Sequence, residues 1–310
     1  MSIYIAITTL EDPDIVGTVS TALLNADRPD DVHIGVAAAV GDSFFEKISS
    51  LLKFNQLTLH QFDQSMANGI GMARNLSRFA YDDEEYILQV DSHTYFKKGW
   101  DTILTKMFND AVEITGNKKT LLTASLGGHE IIDGVAVISD DEAKYCVITS
   151  ATWSPYTNIN HWLLVPLSKF PSHVKIGDKK IIPANKVNGN FIFSNKHFVE
   201  YSGLPDSSVY FDEEIIQTIN MLENGFALAH PNAKLPITHR YKRDGEPIPR
   251  QDGKDLFWND SRLHDCAMTA SMFDFIFSNE DACKRYFKYS KHDIISKMVR
   301  PFYIPESFSY

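Results

Sequence analysis

The sequence is poor in cysteine and has no long apolar runs. Its three cysteines, Cys146, Cys266 and Cys283, are widely spaced and form no metal-binding pair, which argues against a disulfide framework and predicts a reducing compartment. No apolar stretch approaches the length of a membrane span, and no basic segment precedes a long apolar one at the start. We therefore expect a cytoplasmic protein with no membrane partner.

Positive charge is also scarce, except in one segment. The net charge of −10 argues against a general nucleic-acid coat protein. Residues 284–303, however, hold six basic residues against one acid, with tyrosines and phenylalanines between them. Two interpretations remain open. The segment is a solvated amphipathic helix whose aromatic residues pack on the body of the protein, or it is a patch that follows phosphates and stacks on bases.

Apolar runs and helical patterns alternate along the first hundred residues. Strands are expected at residues 3–9, 32–38 and 57–62, and helical spacing occurs between them. This alternation predicts an α/β protein with a parallel sheet and right-handed crossovers. The chain of 310 residues is long enough for one large α/β domain or two small ones.

The stretch from Tyr86 to Asp101 organises this pattern. Its apolar start is typical of a buried central strand, and Asp91 and His93 follow where ligands bind in open α/β sheets. On an extended segment, side chains two residues apart point the same way. The pair is therefore a candidate for holding one cation, although a polar strand end without chemistry is the simpler alternative.

Two other segments contain candidate polar residues. Gly69 and Gly71 precede a helix that contains Arg74, but the third glycine of a dinucleotide fingerprint is missing. Arg74 is a candidate donor to a pyrophosphate, or a solvated helix residue. The acids of residues 212–214 begin a helix, where simple capping is the alternative to a catalytic role.

Several short motifs occur in the order and spacing of a known family. They are Ala73-Arg74-Asn75, Tyr86 to His93, Gly99-Trp100-Asp101, Gly189 to Phe193, Phe211 to Ile215, and Gly225-Phe226 with Pro231. In these motifs the chain resembles the polypeptide N-acetylglucosaminyltransferase-like glycosyltransferases, over roughly residues 3–243. These are retaining GT-A enzymes with Asp-x-His in place of Asp-x-Asp. The polypeptide N-acetylgalactosaminyltransferases share the Asp-Ser-His motif.

The resemblance implies a fold, a metal site and a donor. The expected fold is GT-A, with a mostly parallel central sheet flanked by helices. The metal would be held by Asp91, His93 and His239 and would bridge the two phosphates of a nucleotide-sugar donor, most simply a UDP-sugar. Mixed oxygen and imidazole ligation suits Mn²⁺, with Mg²⁺ as the alternative.

The resemblance also implies roles for the other site residues. Thr8, Thr9 and Glu11 would hold the nucleotide base, and Arg74 would contact the donor. Glu213 and Glu214 would face the sugar and acceptor, whereas Asp212 stands where glycine is expected. Cations of the segment after His239, among them Arg240 and Arg243, can add charge stabilisation at the leaving group.

The expected organisation is a GT-A catalytic domain over residues 1–250 and a helical extension packed on it over 251–310. The acceptor would be a hydroxyl group on a protein or glycan. The basic segment 284–303 keeps a hydroxymethylated DNA base open as the acceptor, as in a bacteriophage enzyme working in the host cytoplasm.

Two other classes of protein remain as alternatives. Two histidines and one carboxylate also form the facial triad of non-heme iron oxygenases, although those usually read His-x-Asp on a jelly roll. A non-catalytic module that binds sugar nucleotides would need the same donor site without transfer.

Overall fold

A computed structural model describes the chain over most of its first 241 residues. The described residues are 1–39, 46, 48–63, 66, 69–139, 142–150, 161–166, 174–176, 178–204, 206, 212–231 and 234–241. The predicted helical extension 251–310, with its basic segment 284–303, lies outside them, as does Arg243.

The described residues form strands and helices in alternation at first, then mostly strands. The strands are β1 (Ile3–Leu10), β2 (Val32–Ala39), β3 (Leu57–Phe62), β4 (Tyr86–Asp91), β5 (Thr94–Phe96), β6 (Thr120–Thr123), β7 (Gly127–Ile132), β8 (Val135–Ile138), β9 (Lys144–Ser150), β10 (His161–Pro166), β11 (Val174–Ile176), β12 (Lys179–Pro183), β13 (Phe191–Asn195), β14 (Ala227–Pro231) and β15 (Ile237–His239). The helices are α1 (Ile15–Leu24), α2 (Ile70–Ser77), α3 (Trp100–Thr115), α4 (His197–Tyr201) and α5 (Asp212–Glu223), with 3₁₀ turns at Pro29–Asp31 and Ser49–Lys53.

The central sheet is mixed. Its nine strands lie in the order β11-β12-β14-β6-β13-β4-β1-β2-β3. The strands β4, β1, β2 and β3 are parallel, as the alternating pattern predicts. In the other half, β13 pairs antiparallel with both β4 and β6. The chain forms β7 to β12 between β6 and β13. Strand β13 then runs in the direction opposite to its neighbours β4 and β6. The sheet is therefore parallel only in part.

Helices cover both faces of the sheet because its central strands are apolar on both sides. Ile3, Ile5 and Ile7 of β1 pack with α1 and α3 on one face, whereas Tyr4 and Ala6 pack on the other. The second face includes apolar residues of α4 and α5. Full burial of each such aliphatic side chain contributes about 1.5–3 kcal/mol, so these two apolar layers stabilise the strands that hold the site.

A smaller sheet lies next to the carboxyl end of β4. Its order is β5-β15-β7-β8, with β15 antiparallel to β5 and parallel to β7. Gly127 and Gly128 pair with β15 and form the start of β7. Within the described part of the chain, none of the helices is long and apolar enough to cross a membrane.

Candidate active site

The site is built at the carboxyl ends of β1 and β4. Asp91 is the last residue of β4, and its register partner on β1 is Thr8. Asp91 is 8% exposed, and Thr8 and Thr9 are buried beside it. The structure thus brings Thr8 and Thr9, at the end of β1, to the same edge of the sheet as the predicted metal ligand.

A turn, rather than a strand, places His93. β4 ends at Asp91, and Ser92 and His93 form a turn before β5. The hydroxyl of Thr18 in α1 donates to the carbonyl of Ser92 at 2.7 Å and accepts the N–H of Thr94 at 3.0 Å. The expectation of one extended strand through His93 is therefore wrong, but the side chains of Asp91 and His93 still lie together, with candidate ligand atoms within 4.8 Å. Helix α1 fixes the turn instead.

His239 lies beside Asp91 and His93, although it is far from them along the chain. It pairs with Thr94 across β15 and β5, and its Nε2 lies 3.2 Å from Oδ2 of Asp91. Its ring centroid is 4.3 Å from that of His93. The N–H of Arg240 donates to the carbonyl of His93 at 3.0 Å, which joins the two histidine segments.

The three side chains fit a divalent metal ion. Asp91, His93 and His239 each offer one ligand atom, all within 4.8 Å of one another, and all three residues are buried. Two ligand atoms at about 2.1 Å from one octahedral ion are about 3.0 Å apart. The 3.2 Å between His239 and Asp91 is close to that spacing. One carboxylate and two imidazoles suit a divalent ion such as Mn²⁺.

Asp12 supports this group, and the sequence analysis did not identify it. Its Oδ2 lies 2.7 Å from Nδ1 of His93 and accepts the hydroxyl of Ser92 at 2.9 Å. A carboxylate on Nδ1 leaves Nε2 of His93 for a metal. The available signal was the position of Asp12, two residues after the end of β1, where a parallel sheet collects its functional side chains.

Arg74 lies beneath Asp91 and is 1% exposed. Its Nη2 donates to Oδ1 of Asp91 at 2.9 Å, and its Nε donates to Oε2 of Glu213 at 3.1 Å. Burial alone would lower the pKa of Arg74, but the two carboxylates raise it, so the guanidinium is charged. Burial raises the pKa of Glu213, and Arg74 opposes that shift.

The acids of α5 have different surroundings. Glu213 is buried against Arg74, whereas Glu214 forms an ion pair with Lys186 at 2.5 Å and accepts the N–H of Gly189 at 2.9 Å. The side chain of Glu214 is 16% exposed, so it is the more accessible of the two. Asp212 is the first residue of the helix. The helix therefore directs one acid toward Arg74 and the other toward the turn before β13.

Two further predicted residues lie in or beside the loop between β1 and α1. Glu11 is exposed and has a positive φ of 49°. Arg240 follows His239 and donates through Nη1 to both oxygens of Asp14 at 2.9 Å. This ion pair through Nη1 connects the end of β15 to the start of α1. Nearby, burial lowers the pKa of His129 to about 4, which keeps that imidazole neutral at pH 7.

The fold and this site define a class of protein. The α/β architecture, with a mixed central sheet and flanking helices, is similar to that of the GT-A glycosyltransferases. Residues 41–265 match the profile of the family "Glycosyltransferase (GlcNAc)", which is more than two thirds of the chain. The chain belongs to this glycosyltransferase family.

Solved structures support the fold. A crystal structure of GalNAc-T7 with UDP, GalNAc and Mn²⁺ superposes with a TM-score of 0.56 at 11% identity, over 92% of this chain and 58% of that one. S. aureus TarS 1–349 in complex with UDP-GlcNAc gives 0.50 at 12%, over 94% and 74%. Another structure of S. aureus TarS 1–349 gives 0.48 at 12%, over 77% and 60%.

The similarity has limits in length and identity. The chain spans about 60% of the length of GalNAc-T7 and of one TarS structure. No curated protein sequence matches the chain. At these identities the superpositions with TM-scores of 0.56 and 0.50 show the fold alone.

Proposed function

We propose that this protein is a metal-dependent, retaining glycosyltransferase that moves a sugar from a nucleoside-diphosphate sugar to an acceptor hydroxyl. The observation that supports it best is the buried group of Asp91, His93 and His239 at the carboxyl end of β4, in a chain that belongs to a glycosyltransferase family. Family membership favours this activity over an iron oxygenase with the same ligand set.

The three ligands would hold Mn²⁺, or Mg²⁺ as the alternative. A bound divalent ion would supply Lewis-acid neutralisation of the two phosphates of the leaving nucleotide. Asp91 would use Oδ2 and His93 would use Nε2, because Oδ1 and Nδ1 already contact Arg74 and Asp12. The protein side of the site is thus fixed before a donor arrives.

The donor would lie over the ends of β1 and β4. Thr8, Thr9 and Glu11 are at that edge and are the proposed contacts to the base. UDP is the proposed nucleotide, because the GalNAc-T7 structure contains UDP and the TarS structure contains UDP-GlcNAc. Arg240 would place positive charge beside the leaving diphosphate while Asp14 holds its side chain.

The acids of α5 would act on the sugar side. Glu214 is the accessible carboxylate and is proposed to orient sugar hydroxyls, while Glu213 stays on Arg74. In the retaining transfer proposed here, the acceptor hydroxyl attacks from the face of the leaving group, with no obligatory carboxylate nucleophile.

Asp212 and Arg243 stay predictions from the sequence. The acceptor proposed here is a hydroxyl on a protein or glycan.

Calorimetry with UDP and a panel of UDP-sugars, with and without Mn²⁺, tests the donor site. We expect binding that requires Mn²⁺ and that Asp91→Ala abolishes. Asp30→Ala, which removes an exposed acid of the same type, is the matched control and should bind normally. Absence of nucleotide binding in every condition would contradict the proposal, and an inverted anomeric carbon in the product would contradict retention.

A further inference from the structure

Three parts of the chain enclose the guanidinium of Arg74. Besides Asp91 and Glu213, it donates through Nη1 to the carbonyl of Val90 at 3.2 Å and through Nη2 to that of Gly189 at 3.1 Å. These partners come from β4, from α5 and from the turn before β13. With 1% of the residue exposed, Arg74 offers little surface to a donor in this conformation.

We infer that Arg74 is a positioning residue, and that Glu213 tunes how strongly Arg74 holds the metal ligand Asp91. This inference rests on the proposed metal site. A buried arginine paired with Asp91 alone would draw that carboxylate away from a cation. Glu213 accepts from both Nε at 3.1 Å and Nη2 at 3.3 Å and so shares the positive charge. Asp91 is then held through Oδ1 only, and Oδ2 lies toward His239.

The turn at Gly189 is shaped around this ion pair. A Cβ atom at Gly189 would overlap Oε1 of Glu213 and would lie 3.2 Å from its Cδ and 3.6 Å from Nη2 of Arg74. The φ of Gly189 is not in the left-handed region, so the requirement for glycine is purely steric. A residue with a side chain would displace the carboxylate that shares the charge of Arg74.

The test measures Mn²⁺ affinity without any nucleotide. We expect Arg74→Lys to raise the Kd for Mn²⁺ by about 10- to 100-fold, the usual cost of losing a group that orients a metal ligand. A lysine ammonium cannot span two carboxylates as the planar guanidinium does. Glu213→Gln should raise the Kd by about tenfold, since Arg74 then pairs with Asp91 alone. Arg28→Lys, at an exposed arginine, should leave the Kd unchanged.

A second variant keeps the test decisive if Arg74→Lys does not fold. Arg74→Met/Glu213→Met removes both charges of one buried ion pair, which often preserves folding, and His239 remains beside Asp91, so we expect a folded protein. We expect this double variant to bind Mn²⁺ at least tenfold more weakly than wild type. A folded double variant with wild-type Mn²⁺ affinity would overturn the inference and make the pair purely structural.

The outcomes separate this inference from the proposed function. If Arg74→Lys binds Mn²⁺ normally but loses affinity for UDP, Arg74 is a donor contact and the inference fails. If wild-type protein binds Mn²⁺ but transfers no sugar, the proposed function fails alone. If wild-type protein binds no Mn²⁺, both fail.

Discussion

Oδ2 of Asp12 lies 2.7 Å from Nδ1 of His93, although the two residues are 81 positions apart in the chain. The same oxygen accepts the hydroxyl of Ser92, and Oδ1 accepts the N–H of Asp14 at 3.0 Å. The carboxylate is thus fixed on both sides, and it sets the orientation and the tautomer of the imidazole. The carboxylate of Asp12, in the loop between β1 and α1, therefore determines how His93 faces the site.

Asp12→Asn should weaken metal binding while leaving all three ligands in place. We expect the Kd for Mn²⁺ to rise by about 10- to 100-fold, because an amide holds Nδ1 less strongly and can donate as well as accept. Titration of Mn²⁺ followed by electron paramagnetic resonance measures the Kd directly. Asp30→Asn, at an exposed acid, is the control. Equal affinity in wild type and Asp12→Asn would mean that Asp12 does not orient His93.

The Arg240–Asp14 ion pair should contribute more to the free energy of unfolding than an exposed ion pair does. Its side chains are 13% and 20% exposed, and Nη1 of Arg240 contacts both carboxylate oxygens of Asp14. A double-mutant cycle with Arg240→Met and Asp14→Asn should give a coupling free energy of about 1–2 kcal/mol in urea unfolding. The same cycle on the exposed pair of Arg28 and Asp31 should give less than about 0.5 kcal/mol. Similar values for the two pairs would contradict the prediction.

Alanine substitution at two glycines should change the stability of the fold in opposite directions. A Cβ at Gly35 in β2 would overlap the hydroxyl of Tyr4 and the carbonyl of Ser77, which themselves form a 2.8 Å hydrogen bond. Gly35→Ala should destabilise the fold by about 1–3 kcal/mol or more. Gly17 lies inside α1, and a Cβ added there meets no atom within 4 Å apart from its own helix backbone and its chain neighbours, so Gly17→Ala should stabilise the fold by about 0.5–1 kcal/mol. Denaturant unfolding distinguishes the two, and a shift of equal sign would refute the steric argument.

Stability should fall as the pH drops, in part because of His230. This residue is fully buried in β14 against Tyr145, and burial lowers its pKa to about 3. Below an unfolded-state pKa of about 6.5 the unfolded chain takes up a proton that the folded chain refuses. The contribution of His230 to the free energy of unfolding is therefore fully present above that pH. Below it, the free energy of unfolding declines by about 2–3 kcal/mol between pH 7 and 4.5 for this one group.

Unfolding measured from pH 7 to 4.5 checks this prediction. We expect His230→Leu to have a shallower decline than wild type, whatever its stability at pH 7. His197→Asn replaces a partly exposed histidine, with 32% of its side chain accessible, and should leave the slope unchanged. A wild-type slope in His230→Leu would show that His230 does not contribute to acid sensitivity.

The sequence by itself determined the central strand and the ligand types. The apolar run before Asp91 predicts a buried strand, and β4 is such a strand, because a segment with apolar side chains on both sides is stable only in the middle of a covered sheet. The alternating pattern of the first 62 residues likewise predicted β1, β2 and β3, since local periodicity reflects which faces are buried. The three candidate metal ligands were also named, His239 through the family resemblance.

Only the tertiary structure decided how those ligands meet. The turn that places His93 depends on Thr18 of a distant helix, and His239 arrives through pairing of β15 with β5. The antiparallel entry of β13, the support by Asp12 and the burial of Arg74 against Glu213 all depend on contacts between residues far apart in the chain. Periodicity and spacing describe the neighbours of a residue along the chain. The partners of a buried charge are chosen by the packing of the whole sheet, since a charge removed from water is stable only beside an opposite one.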